Sequence, residues 1–331
     1  MTLHNDICDI REVHVGSAHD ASICSGVTVV LPNRPCICAV DVRGGATGTR
    51  DTETIAVTSS VDYVHGIVLS GGSAFGLAAA TGVQSWLRER NVGFEIGDAR
   101  VPIVPQAIVF DLLNGGNKNW GRTNPYEALA LAACEAASSG AVKIGSVGAG
   151  YGASTATLRG GLGSASAALA NGVVVGALVV VNACGSVTMG ISPHFWAWPF
   201  ERNGEFGGRG PGRLDPDAAV PIKGAPGQNT TIAVVATNAR LDKQQAHRLA
   251  VMAQTGLARS IYPVHTPLDG DVVFAMATGE VLLDEPVGGL AQLGNAAADT
   301  LARAVARGVY EAAPVEPGWL EPPSYRERFG L

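Results

Sequence analysis

Asn229-Thr230-Thr231 is the stretch whose residue types and setting could do chemistry. It runs into the apolar alternation Ile232-Ala233-Val234-Val235-Ala236, which reads as a buried strand, and Gly224, Pro226 and Gly227 allow a tight turn before it. The two hydroxyls therefore fall on the first strand positions, where a side chain still reaches a cleft. Threonine is a weak nucleophile unless a base stands beside it, and an amine on the same residue can be that base. That amine exists only if the Asn229–Thr230 bond is cut. Attack of the Thr230 hydroxyl on the Asn229 carbonyl gives an ester, and its hydrolysis frees the amine. By itself the tripeptide is more often a turn, because short motifs match by chance.

Two other polar stretches adjoin apolar runs. Asp269-Gly270-Asp271 precedes the strand Val272–Ala277, and Asp-Gly by itself is a hairpin-turn signal. Asn182 closes the apolar run Val173–Val181; a polar amide there is either a strand-ending turn residue or a fixed donor aimed into a cleft.

The elements that must position these groups follow from periodicity. Residues 26–31 and 37–42 read as strands around the turn Pro32–Pro35. Asp41–Arg50 is Gly-rich with two arginines and lacks the Lys-Ser/Thr ending of a P-loop, so a phosphate cradle competes with close backbone packing. Gly66–Leu69 reads as a strand leading through Ser70–Gly76 into a helix to about Arg90, with Ser73 as N-cap. The Gly-x-Ser-x-x-Gly spacing there is not a nucleophile elbow. Val101–Leu112 is an apolar run expected to end in a strand. After the polar loop 114–123 a helix is expected, with capping signals at 124–127 and Gly140 to close it. Gly145–Gly152 and Arg159–Ser164 hold too much glycine for helices and suit close backbone approach. His194–Arg213 reads as a long aromatic, Gly-rich loop. Asp242 caps a helix, Val272–Ala277 is a strand, and Gly289–Ala312 is the last long helix. The tail from Pro314 reads as a surface strap.

Composition excludes several partners. Of 331 residues, 47% are hydrophobic, 16% charged and 43 glycine, with a net charge of −6. An acidic chain argues against nucleic acid or an anionic membrane, and the Arg/Gly run 204–213 reads as a surface loop. No stretch reaches the roughly 18 apolar residues of a spanning helix, and no secretory signal opens the sequence. The six cysteines are scattered in apolar contexts, which reads as reduced core thiols of a cytoplasmic protein. No Cys/His spacing suggests zinc, and no cofactor or metal is expected.

Taken in order, these motifs resemble those of a known family. They are Val42-Arg43-Gly44-Gly45, Leu69–Leu77, Val147–Gly150, Gly160–Ser164, Val179–Asn182, Asn229–Thr231 and Asp269–Asp271. The set resembles the DmpA-like L-aminopeptidase/D-amidase-esterase family, which includes β-peptidyl aminopeptidases and nylon-oligomer hydrolases, over about residues 10–310. The resemblance implies an α+β fold, a four-layer αββα sandwich, in one domain spanning 1–331 that cuts itself into 1–229 and 230–331. It implies a hydrolase of small amides or of N-terminal residues of peptides, working as a homo-oligomer, tetramer or larger. Carried over by position, Thr230 is the nucleophile, Asn182 the oxyanion-stabilising amide, and Asp269 and Asp271 the pair supporting the threonine amine. Asn229 and Thr230 flank the cut.

The chain departs from that pattern at two places. Thr157 stands where relatives carry a lysine, with Arg159 or Lys143 as candidate substitutes. Phe110 stands where they carry a tyrosine. A substrate pocket walled by Phe110, Trp196 and Trp198, without a carboxylate in Val101–Phe110, suits apolar amides with weak dependence on a free α-amine. Two other classes compete. An acyltransferase of the ornithine acetyltransferase architecture is disfavoured by Gln228-Asn229-Thr230 in place of a Lys-Gly-Thr cut site. A non-catalytic scaffold on the same fold would stay uncut.

Overall fold

The strands form where β-branched and small apolar residues alternate, and the helices where alanine-rich segments carry a single apolar stripe. In the computed structural model, which describes residues 4–215, 217–224, 229–314, 319 and 322–330, the elements run as follows. The first part holds β1 (Val13–Asp20), β2 (Ser25–Pro32), β3 (Cys36–Val42), β4 (Thr49–Arg50), β5 (Tyr63–Val64) and β6 (Ile67–Ser70). Then come α1 (Ser73–Gly76), α2 (Ala79–Glu89), β7 (Phe94–Ile96), β8 (Ala99–Val101), β9 (Gln106–Ile108) and α3 (Tyr126–Glu135). The remainder holds β10 (Gly161–Ala168), β11 (Val174–Asn182), β12 (Thr230–Ala239), α4 (Lys243–Ala258), β13 (Val272–Val281), α5 (Pro286–Tyr310) and α6 (Tyr325–Phe329). The Pro226-Gly227-Gln228 approach and residues 315–318 of the tail lie outside the described residues.

One sheet has the order β1-β2-β6-β9-β4 and the other β10-β11-β12-β13-β3-β5. Three apolar clusters define four layers. Val180, Leu178, Ile232, Val234 and Phe274 meet Val30, Ile67 and Leu69 between the sheets. Val179, Val181, Ala233 and Val235 pack on the other face, against Leu249, Leu257, Leu301 and Val305 of α4 and α5. Val27, Val29 and Val68 of the first sheet meet Val83 and Leu87 of α2 and Ala130 and Ala133 of α3. The α+β class and the αββα sandwich are both present. A period of two along β11 and β12 assigns alternate residues to the helix layer and to the inter-sheet layer. That assignment decides what Thr230 faces.

Two local expectations give way to tertiary contacts. Ser73 is not an N-cap: α1 is one turn, its cap is Gly72 at φ 85°, and Ser73 itself has φ 52° with no capping bond. The loop is held elsewhere, by Gly72 N–H donating to Asp111 Oδ1 (2.7 Å) and Ser73 N–H to the Val109 carbonyl (3.0 Å). A Cβ on Gly72 would lie 2.1 Å from the Tyr126 ring, so only glycine fits there. Likewise α3 stops at Glu135, short of Gly140, because Ser138 leaves to bridge Val15 of β1. Asn124 does accept from Tyr126 N–H (3.1 Å), as its position suggested. Asp242 caps α4 through Gln245 N–H with the reciprocal side-chain bond. The tail is more than a strap, since Tyr325 of α6 is fully buried beside Phe195. All six cysteines are buried and outside any disulfide, and among the described residues no helix is long and apolar enough to cross a membrane.

Candidate active site

Three strand ends converge on Thr230. It opens β12, 2% exposed, and lies directly opposite Asn182, the last residue of antiparallel β11. Opposed residues share a face, and their strand neighbours Ile232 and Val180 lie in the inter-sheet core. Both therefore face the layer between the sheets. Thr231 takes the other face, with Val181 and Ala233, and its buried Oγ1 has no hydrogen-bonding partner among the described residues. The Thr230 hydroxyl donates back onto the carbonyl oxygen of Asn229, the peptide that self-cleavage would break.

β13 runs parallel to β12 with Ile232 beside Val272, which carries Asp269-Gly270-Asp271 past Thr230 and Thr231. The triplet is a strand approach, not a hairpin. Asp271 Oδ1 accepts Thr231 N–H (2.7 Å), while Oδ2 meets His265 N–H (3.1 Å) and His265 Nδ1 (2.9 Å). Asp269 Oδ1 accepts Cys184 N–H (3.0 Å), and Oδ2 accepts Thr266 N–H (3.1 Å) and O–H (2.7 Å). One acid thus fixes the residue after Thr230, and the other fixes the chain two residues beyond Asn182. Burial first, and the charge of Asp271 second, raise the Asp269 pKa above the usual carboxylate value; the Thr266 and Cys184 bonds oppose the rise. Gly270 gives Thr230 room, since a Cβ on it would stand 2.6 Å from Thr230 Oγ1.

The loop Arg43-Gly44-Gly45 presses on the same triplet. Arg43 N–H and Gly44 N–H both donate to the Asp271 carbonyl (3.0 and 3.3 Å), and Ala46 N–H donates to that of Asp269 (2.7 Å). A Gly44 Cβ would lie 2.3 Å from Asp271 N. Close backbone packing, and not a phosphate cradle, explains these glycines.

Asn182 is held at both ends of its amide. Oδ1 accepts Ser154 N–H (3.1 Å) and the Lys223 ammonium (3.0 Å), and Nδ2 donates to the Phe110 carbonyl (3.0 Å). Phe110 therefore reaches the site through its backbone. Its neighbour Asp111 is turned away, accepting Ser25 O–H (2.6 Å) and Gly72 N–H, and burial raises its pKa. Trp196 packs tilted against Tyr262, with ring centroids 5.4 Å apart, and lines a recess of ≈ 90 Å³ with Ser186, Thr188, Leu214 and Val220. Trp198 stands, 36% exposed, on a single 3-10 turn packed against α5 and is not brought to Thr230.

Neither suggested lysine substitute serves. Arg159 is buried, donating to the Tyr151 carbonyl (2.8 Å) and lying 3.9 Å from the Trp319 ring, and Lys143 is exposed. Thr157 shares a hydrogen bond of 3.1 Å with Ser186. The cation at the site is Lys223, which the sequence reading passed over, as it did His265, Thr266 and Ser154. Lys223 did leave a trace: the chain has only four lysines, and this one falls in a Gly/Pro-rich stretch just ahead of Thr230.

The comparisons with known proteins fit this geometry. Peptidase family S58 matches residues 5–318. The chain belongs to peptidase family S58. A Mycobacterium tuberculosis protein named "uncharacterized aminopeptidase" is 43% identical over 349 residues, covering 98% of each chain. A 6-aminohexanoate-oligomer endohydrolase of Kocuria sp. is 32% identical over 82% of the S58 chain and 75% of its own length. Among solved structures, a β-aminopeptidase of Burkholderia sp. superposes with a TM-score of 0.75 at 23% identity, covering 99% and 93% of the two chains. The L-aminopeptidase D-Ala-esterase/amidase of Ochrobactrum anthropi, described as a variant of the Ntn hydrolase fold, gives 0.68 at 22% identity, covering 98% and 92%. The S58 chain is thus a hydrolase of peptide or amide bonds on a fold of the DmpA type.

Proposed function

We propose that this S58 chain is a self-processing N-terminal-threonine amidohydrolase whose nucleophile is Thr230. The observation that carries the reading is the Thr230 hydroxyl lying on the Asn229 carbonyl at the head of a buried strand, with the Asn182 amide directly opposite. In the first reaction Oγ1 attacks the Asn229 carbonyl carbon, the C–N bond breaks, and the nitrogen leaves as an amine while an ester forms. Water then cleaves the ester, giving a carboxylate on Asn229 and restoring the hydroxyl. In the second reaction the new Thr230 amine takes the hydroxyl proton as Oγ1 attacks a substrate amide. An N–H of Asn182 stabilises the oxyanion, and the amide C–N bond breaks as the leaving amine takes the proton from the Thr230 ammonium. Water then hydrolyses the acyl-enzyme to release the acid and restore Thr230. Asp271 and Asp269 act by fixing strand ends; their bonds go to Thr231, His265, Cys184 and Thr266.

Denaturing mass spectrometry of the purified chain tests this. The expected products are 1–229 and 230–331, with Thr230→Ala remaining whole; a wild-type chain that stays intact on long incubation rejects it. As for substrate, Asp111 is engaged with Ser25 and Gly72, which supports small apolar amides without a strict need for a free α-amine. Acetylating the amine of an amino-acid p-nitroanilide is then expected to lower kcat/KM by less than about tenfold, a cost of about 1.4 kcal/mol. Complete loss of turnover rejects that substrate class.

A further inference from the structure

We infer that Lys223 is a positioning residue for self-processing: in the uncut chain its ammonium locks the Asn182 carboxamide in the orientation an oxyanion needs. The inference rests on the self-cleaving reading above. Lys223 Nζ donates to Asn182 Oδ1 (3.0 Å), to the Ser154 carbonyl (2.7 Å) and to Ser154 Oγ (3.0 Å). The oxygen and nitrogen of a carboxamide are nearly the same size, so only the partners set which way it points. Turned over, Asn182 would present its NH₂ to a cation and to Ser154 N–H, and its oxygen to the Phe110 carbonyl. All of those meetings are repulsive. The cation makes the flip most costly, and its pull on Oδ1 also strengthens Nδ2–H as a donor.

The backbone of Lys223 ties this device to the bond that breaks. Its N–H donates to the Cys184 carbonyl (2.9 Å), two residues past Asn182, and its own carbonyl accepts Asn229 Nδ2 (2.9 Å). Lys223 therefore spans the gap between the end of β11 and the residue whose carbonyl is attacked. It also lies upstream of the cut, on the segment that gains a free C-terminus when Asn229–Thr230 opens.

The test is a cleavage time course by denaturing mass spectrometry for wild type, Lys223→Met and Lys223→Arg, followed by turnover per cut chain. Lys223→Met is expected to slow cleavage about tenfold to a hundredfold, less than outright loss of an oxyanion donor costs. Lys223→Arg, which keeps the charge and the donors, should restore most of the rate. In the cut fraction of Lys223→Met the loss should fall on kcat with KM nearly unchanged, because Asn182 serves the oxyanion of both reactions. Cleavage of Lys223→Met at the wild-type rate overturns the inference. So does an arginine variant as slow as methionine, which marks a packing role, or a loss confined to KM. An uncut wild-type chain rejects the self-cleaving reading itself, and this inference with it.

Discussion

Gly270→Ala asks whether the geometry around Thr230 is as tight as described. The added methyl would stand 2.6 Å from Thr230 Oγ1, 2.8 Å from the Ala46 carbonyl oxygen and 3.2 Å from Thr47 Cα. An ordinary carbon–oxygen contact is about 3.4 Å, so the hydroxyl or the start of β13 must yield by about 0.8 Å. The hydroxyl cannot do so freely, because a β-branched side chain has few χ1 choices and Thr230 is buried in a strand. On the other side the methyl meets backbone, which moves only with its loop. A misplacement of about 1 Å in a reacting group costs about a hundredfold in rate, so a shift of about 0.8 Å predicts a loss of roughly tenfold to a hundredfold. That corresponds to about 1.4–2.7 kcal/mol of barrier. Overpacking adds about 1–3 kcal/mol of destabilisation, seen as a lower Tm. The assay is the cleavage time course by mass spectrometry with turnover of the cut fraction. If Gly270→Ala cleaves and turns over like wild type at an unchanged Tm, Thr230 Oγ1 is not where the structure puts it.

Four further substitutions probe separate parts of the structure. Asp271→Asn and Asp269→Asn each set an amide NH₂ against a buried N–H whichever way it turns, since both oxygens of each acid accept from N–H groups. Each should lower cleavage and turnover by about a hundredfold or more, short of the roughly 10⁴ lost with the orienting acid of a serine protease; wild-type rates would reduce the triplet to a structural turn. Thr231→Val removes a buried hydroxyl that has no partner among the described residues and faces the helix layer, so it should raise stability by about 1–2 kcal/mol and leave cleavage within about threefold. A large loss of cleavage would show that Thr231 takes part. Asp111 is buried with a raised pKa, so the folded state holds its proton more tightly than the unfolded state does. Its contribution to stability is present below the unfolded value of 3.8 and is lost as pH rises through the raised folded value. The Tm difference between Asp111→Asn and wild type should therefore grow more positive from about pH 4 upward. A difference independent of pH would mean that the carboxyl titrates normally.

The sequence alone determined whatever depends on neighbours along the chain. Apolar runs in 174–182 and 230–239 demand buried strands, and Asp242 with Gln245 demands a capped helix; both signals lie within a few residues of what they specify. Seven motifs in order carried the resemblance to the DmpA-like family, and with it the αββα sandwich and the candidate residues Thr230, Asn182, Asp269 and Asp271. The fold then brought Thr230 opposite Asn182 and drew the Asp pair to the same three strand ends. Tertiary structure alone decided the roles that depend on approach through space. Ser73 has the composition of a cap but not its conformation, because Asp111 and Tyr126, far along the chain, fix the loop first. Arg159 and Lys143 are nearer in sequence to the vacant lysine position, yet the ammonium at Asn182 comes from Lys223, 41 residues away. A long flexible side chain can serve any site that its backbone passes, and where a backbone passes is set by sheet register and loop closure. Local periodicity carries no record of either.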